Sequence, residues 1–206
     1  IAYWFELSDG AETLCYYGDC YEMAGTPTRA DYFQLPFNHR ADRLSVPEWT
    51  KDAVVYNIFP DSFADGFRTL SGGSDGKTGL GGTIRGITEN LDYIASMGFN
   101  CIYLNPIFVS PSNHKYDIQD YEYVDPHYGK IVEDMDDGLL NEGDRENAHA
   151  RKFIKRVTDK RNLEASNELF AKLVEEIHKR GMKVILDGVF NHCGSFNKWM
   201  DRERIY

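Results

Sequence analysis

"SNELFAKLVEEIHKRGMKVILDGVFNH", residues 166–192, places an amphipathic stretch directly before an apolar one. In the first half Leu169, Phe170, Leu173, Val174 and Ile177 recur at spacings of three and four, which puts them on one stripe of a helix. Ser166 is the expected cap, Glu168 sits in the first turn, Lys179 and Arg180 in the last, and Gly181 is the stop. The spacing predicts a helix over 167–180. "KVILD" then lacks any polar alternation, as expected of a strand covered on both faces. Such a strand belongs to a parallel sheet.

The same alternation runs upstream. "AVVYNIF", residues 53–59, is an apolar run closed by Pro60. Ile84, Ile87, Leu91, Ile94 and Ala95 follow at helical spacing and end at Gly98. "CIYLNPI", residues 101–107, is a second buried strand that Cys101 opens as a small core residue. The order is β-α-β-α-β, with parallel strands near 53–58, 101–105 and 183–187 and the helices near 84–97 and 167–180 on one outer side. An open doubly wound sheet and a (β/α)8 barrel both begin this way. No G-x-G-x-x-G opens a helix, and "GGSDGKTG" at 72–79 fails the phosphate-loop spacing.

Before residue 48 the texture differs. "YWFELSDGAETLCYYGD", residues 3–19, reads as a hairpin turning at Ser8-Asp9-Gly10, and Cys15 and Cys20 are near enough in sequence for a small disulfide. Pro27, Pro36 and Pro47 punctuate an aperiodic stretch. We expect residues 1–47 to be the closing strands of a β-domain with a linker, and 48–206 to be the α/β part. The chain opens inside a strand-like run and stops soon after a strand end, so a piece of a longer protein is expected.

The 206 residues carry a net charge of −10 and include 13 Tyr, 12 Phe and 3 Trp. The charge opposes nucleic acid or anionic membrane as partner, and no apolar run approaches the roughly 20 residues a bilayer span needs. Aromatics on an acidic chain suit a neutral polar ligand. The four cysteines lack C-x-x-C spacing and do not choose between the bacterial cytoplasm and secretion.

In parallel α/β folds, binding groups collect where strands end. Here those ends carry "FPDSF", "NPIFVSPSNHKYD" and "DGVFNH". Aromatic faces can cover the C–H surface of a sugar, while amides, imidazoles and carboxylates take its hydroxyls.

Residues 49–128 and 164–196 resemble the α-amylase family of glycoside hydrolases, in particular its neopullulanase and cyclomaltodextrinase branch. The matching stretches are "WTKDAVVYNIFPDSFADG", "LDYIASMGFNCIYLNPIFVSPSNHKYDIQDYEYVDPHYG" and "GMKVILDGVFNH". The resemblance implies the first three βα units of a (β/α)8 TIM barrel, preceded by the end of a starch-binding-like β-sandwich. It also implies an α-glucan substrate such as starch, pullulan or cyclodextrin. By it, His192 bonds the glucosyl unit at the cleavage point, Tyr116 stacks on the same ring, and His114 lines the pocket. Asp187 lies at the base of the site and orients an arginine of the next barrel strand, and Asn191 braces the loop.

The family's nucleophile and acid/base stand on later strands, and no residue here matches their motifs. The chain alone is therefore expected to bind sugar without cleaving it, and to need the rest of the parent chain or to oligomerise. A non-catalytic carbohydrate-binding relative is the alternative. The resemblance further implies calcium in the loop after the first strand, with Asp65 and Asp75 as candidate ligands. There Thr83 replaces the aspartate of the family's Gly-Gly-Asp. Lys130–Leu163 is longer than the family's link; "NAHARKFIKRVTDKRN" within it predicts a helical excursion over the rim, solvated by default.

Overall fold

The computed structural model describes residues 1–18, 20–23, 32–35, 39–42, 45–65, 81–141, 143–202 and 204–206. Its contacts divide the chain into two units, Ile1–Lys51 and Asp52–Tyr206. The division falls four residues beyond the expected boundary at 47.

In the first unit β1 (Ala2–Tyr3) pairs antiparallel with β5 (Phe33–Gln34), and β2 (Phe5–Ser8), β3 (Thr13–Tyr17) and β4 (Cys20–Met23) form an antiparallel meander. The β2–β3 turn falls where Asp-Gly predicts it. The Asp9 carboxylate accepts the backbone N–H groups of Ala11 and Glu12, and Gly10 takes a left-handed φ of 92°. Tyr16 stacks on Tyr21 at 4.7 Å across the β3–β4 pair.

The second unit is built on three parallel strands, β6 (Val55–Ile58), β7 (Cys101–Leu104) and β10 (Lys183–Leu186), in the order β10-β7-β6. In register, Tyr56, Ile102 and Val184 share one face with Ile58, Leu104 and Leu186. That face takes the helices. Ile84 and Ile87 of α2 (Ile84–Glu89), Leu91 and Ile94 of α3 (Leu91–Ser96), and Leu173 and Ile177 of α5 (Lys160–Lys179) bury against Ile58, Ile102 and Leu104. Removing any one of these fully buried branched side chains would cost about 2–5 kcal/mol as an alanine.

Three expectations are corrected. The helix expected over 84–97 is two, α2 and α3, divided at Asn90, whose side chain returns to the Gly86 carbonyl at 2.8 Å. A single turn, α1 (Pro60–Phe63), follows β6 directly, with Pro60 supplying a first-turn φ.

Ser166 does not cap the long helix. Asp159 does, accepting the N–H of Arg161, and α5 begins at Lys160. Ser166 is buried inside the helix. Its hydroxyl donates to the Asn162 carbonyl at 2.7 Å and accepts the Lys130 N–H at 3.0 Å. The 130–163 stretch is also no solvated excursion. Its helix α4 (Arg151–Thr158) buries Phe153 and Val157 against Val109 and Leu163, and so covers the antiparallel pair β8 (Phe108–Val109) and β9 (Asp120–Val124). The cations of α4 are paired, with Arg156 bidentate on Asp134 at 2.9 and 2.7 Å.

Candidate functional site

The strand ladder carries two polar residues past its last apolar pair. The Asn105 N–H bonds the Ile58 carbonyl at 3.0 Å, and the Asp187 N–H bonds the Leu104 carbonyl at 2.9 Å. Asn105 and Asp187 are therefore fixed by sheet geometry at the carboxyl ends of β7 and β10. Tyr116, from the loop after β7, closes the arrangement. Its hydroxyl donates to Asp187 Oδ2 at 2.9 Å and accepts from Asn105 Nδ2 at 3.1 Å. Burial and then the Asp187 carboxylate raise the Tyr116 phenol above its ordinary value, and the same two causes raise Tyr103. Both phenols thus stay protonated donors. Tyr116 remains 37% exposed, so its ring edge is bonded while part of the ring meets solvent.

The loop that aims Tyr116 is held from beneath. Lys115 is buried and has a left-handed φ of 56°, which sends its side chain inward while its neighbours face the rim. Its ammonium lies 2.6 Å from Asp125 Oδ2, bonds the Ser110 carbonyl at 2.9 Å, and stands 4.6 Å above the Tyr128 ring. Asp125 also accepts the Ser110 N–H and pairs with His127 Nδ1 at 2.7 Å. Burial alone would raise the Asp125 carboxyl, but Lys115 and His127 override it and hold the group well below the carboxylate range. Asp117 adds a second tie, accepting the Ser110 and Ser112 hydroxyls. His114 is exposed; its Nδ1 accepts the Tyr116 N–H at 3.1 Å, and its ring lies 6.0 Å from that of Tyr116 at 28°.

Asn191 and His192 follow Asp187 in the loop after β10, both exposed, with Asn191 Nδ2 3.3 Å from His192 Nδ1. The same loop is also tied to β9 and to the loop before it. The Tyr121 hydroxyl bonds the carbonyls of Val189 and His192, each at 2.8 Å, and the Gly194 N–H bonds the Ile118 carbonyl at 2.9 Å. A Cβ at Gly194 would lie 2.4 Å from the Asp117 carbonyl oxygen, so only glycine permits this approach. Sequence reasoning missed Tyr121, Lys115 and Asn105. Asn105 ends an apolar run and could have been read as a strand-end group; Tyr121 carried no local signal.

The calcium expectation falls only partly on the described residues. The Thr83 hydroxyl bonds the Asp65 carbonyl and receives the Gly86 N–H as the cap of α2. Asp75 lies outside the described residues. Among the described residues no group of three or more His, Cys, Asp or Glu could hold a metal, whereas a hard cation wants six to eight oxygens.

Comparison with known proteins identifies a family. The family model described as "Alpha amylase, catalytic domain" matches residues 57–146 and 165–205. An intracellular maltogenic amylase of Bacillus subtilis is 36% identical over 98% of this chain and 30% of its own length. A cyclomaltodextrinase of Geobacillus thermopakistaniensis is 38% identical over 94% of this chain and 29% of its own. Among solved structures, a cyclomaltodextrinase superposes with a TM-score of 0.55 at 28% identity, over 97% of this chain and 30% of that one. The chain thus spans about 30% of the length of these two curated relatives.

Proposed function

Because this chain belongs to the α-amylase catalytic-domain family, whose members are glycosidases, we propose that it forms the sugar-binding wall of an α-glucan hydrolase. On this reading β6, β7 and β10 are the first three strands of a (β/α)8 barrel, and the rim they end on receives the glucosyl unit beside the scissile bond. The observation that carries the reading is the bond from Tyr116 to Asp187 across 71 residues of sequence, at the carboxyl ends of two parallel strands.

Each side chain has a physical task. Asp187 and Asn105 fix the Tyr116 ring, so its exposed part can lie under the C–H face of a pyranose without losing rotamer freedom on binding. His192 offers one ring nitrogen to a sugar hydroxyl. His114, tied to the Tyr116 backbone, lines the same wall. Asp187, at the base, is the counter-ion for an arginine on the following strand.

Hydrolysis with retention needs two carboxyl groups roughly 5 Å apart, one as nucleophile and one as acid/base. Asp187 is engaged by a phenol, and we assign that pair to residues outside this chain. A bond that strengthens as the ring distorts acts on turnover more than on ground-state binding. In the intact protein, His192→Ala should therefore lower kcat on linear maltooligosaccharides and cyclodextrins by about 10²-fold or more while changing KM far less. Wild-type kcat in that variant would overturn the assignment of His192. An intact protein that binds these glucans and never cleaves them would favour a non-catalytic relative.

A further inference from the structure

Trp199 lies outside every role given above, and its placement is unusual. The indole is 70% exposed, yet its far face is not free: it stacks on the Tyr121 ring at 5.2 Å and 12°. The backbone beneath it is pinned. The Trp199 N–H donates to Asn197 Oδ1 at 2.9 Å, and the fully buried Asn197 donates in turn to the Ile118 carbonyl at 3.1 Å. The adjacent Lys198 N–H bonds the Gln119 carbonyl at 2.9 Å, and its ammonium bridges Asp120 and Glu122 at 2.8 Å each. An aromatic plane is thus held open to water by a backing ring and a fixed backbone.

That backing ring is the one that grips the His192 loop. Tyr121 meets Trp199 with its face and the carbonyls of Val189 and His192 with its hydroxyl. Trp199 therefore stands two contacts from the His192 backbone, on the same side of β9. Phe190, between those two carbonyls in sequence, is 89% exposed. A flat, immobilised indole with one wet face presents large contact area at little entropic cost, and it matches the apolar C–H face of a glucose ring.

We propose that Trp199 is an additional subsite, stacking under a glucosyl unit of an α-glucan whose terminal part occupies the His192–Tyr116 wall. This rests on the α-glucan reading of the rim. Trp199 then selects for chain length: a short oligosaccharide does not reach it and a long one does.

The test uses the intact protein and non-hydrolysable, thio-linked analogues of maltotriose and maltoheptaose, with affinities from calorimetry. Trp199→Ala is expected to weaken the longer analogue about five- to tenfold and to leave the shorter one unchanged, and Trp199→Phe to restore most of the loss. Tyr116→Ala, which removes the ring proposed to lie under the terminal glucosyl unit, is expected to weaken both. If Trp199→Ala binds the longer analogue as tightly as wild type while Tyr116→Ala does not, the subsite falls and the α-glucan reading stands. Equal weakening of both analogues by Trp199→Ala would also overturn the subsite, since Trp199 would then act through Tyr121 on the loop. If the wild-type protein binds neither analogue, the α-glucan reading fails and the subsite with it. Fluorine NMR of fluorotryptophan-labelled protein gives a readout that does not depend on Trp199→Ala folding. The Trp199 resonance should move with the longer analogue only, and a resonance unmoved by it would refute the stacking.

Discussion

Lys115 shows how a single residue can place a site it does not touch. It adopts a left-handed φ between His114 and Tyr116, and its ammonium is fully enclosed by Asp125, the Ser110 carbonyl and the Tyr128 ring. Removing Lys115 leaves the buried Asp125 carboxylate with only His127 and the Ser110 N–H, and breaking a buried pair costs about 3–5 kcal/mol. Lys115→Met should therefore lower unfolding stability by about that much in urea titration, well beyond the ~1 kcal/mol expected for losing one half-exposed hydrogen bond in Tyr116→Phe. Equal losses from the two variants would show that the Lys115–Asp125 pair does not anchor the loop. "HKYD" could be read in sequence as a loop bearing polar groups. The inward turn of Lys115 could not, because nothing local distinguishes it from a solvated lysine. The partner that draws it inside lies ten residues on, across β9.

Elements were legible where periodicity governed them. The three parallel strands and the stripe from Leu169 to Ile177 stand where their spacing predicts, but β6 and β10 are not covered on both faces as their apolar runs suggested: Val55, Asn57, Lys183 and Leu186 are exposed. The start of α5 was not legible, because its first turns, Lys160 to Ser166, bury the polar Asn162 and Ser166 beside a single large apolar residue, Leu163. Asn162 is fully buried by accepting the Val132 and Glu133 N–H groups, so a helix face that looks hydrophilic is an interior one. The same region stores an acid sensitivity. The Arg156 hydrogen bonds, first among its causes, lower Asp134 to about 2, and Arg161 then Lys155 hold Asp159 below the carboxylate range. Asp125 is depressed as well. Depressed folded values mean that the unfolded chain takes up protons first. The stabilisation is complete above the unfolded carboxylate value near 4 and is lost as pH falls from about 4 toward 2 and below. Melting temperature should fall steeply across that window, and Asp134→Asn should flatten part of the slope. A melting temperature constant from pH ~5 to ~2 would contradict this ion-pair account.

At the scale of the whole molecule, the sheet has a covered face and an uncovered one. Parallel sheets are ordinarily buried on both faces, and here the helices account for one. Val55 and Asn57 on the other face of β6 are exposed, as are Val54 beside them and Phe190 beyond β10. β6 and β10 are the edges of the three-stranded sheet, each with one side unpaired among the described residues. Unpaired parallel edges beside exposed apolar side chains are templates for association. Residues 1–206 produced alone should therefore self-associate, with the apparent mass in analytical ultracentrifugation rising with concentration. They should also release no reducing sugar from starch, pullulan or cyclodextrins. The second expectation follows from the chemistry assigned to the rim. On the proposed reading Tyr116, His192 and Asp187 orient a glucosyl unit, and without a nucleophile and a proton donor about 5 Å apart the glycosidic bond would keep its full barrier. The two outcomes are separable. Added β6-side variants such as Val55→Lys should reduce association without creating activity. A monodisperse chain of this length that liberates glucose or maltose would mean that the catalytic carboxylates lie among these residues after all.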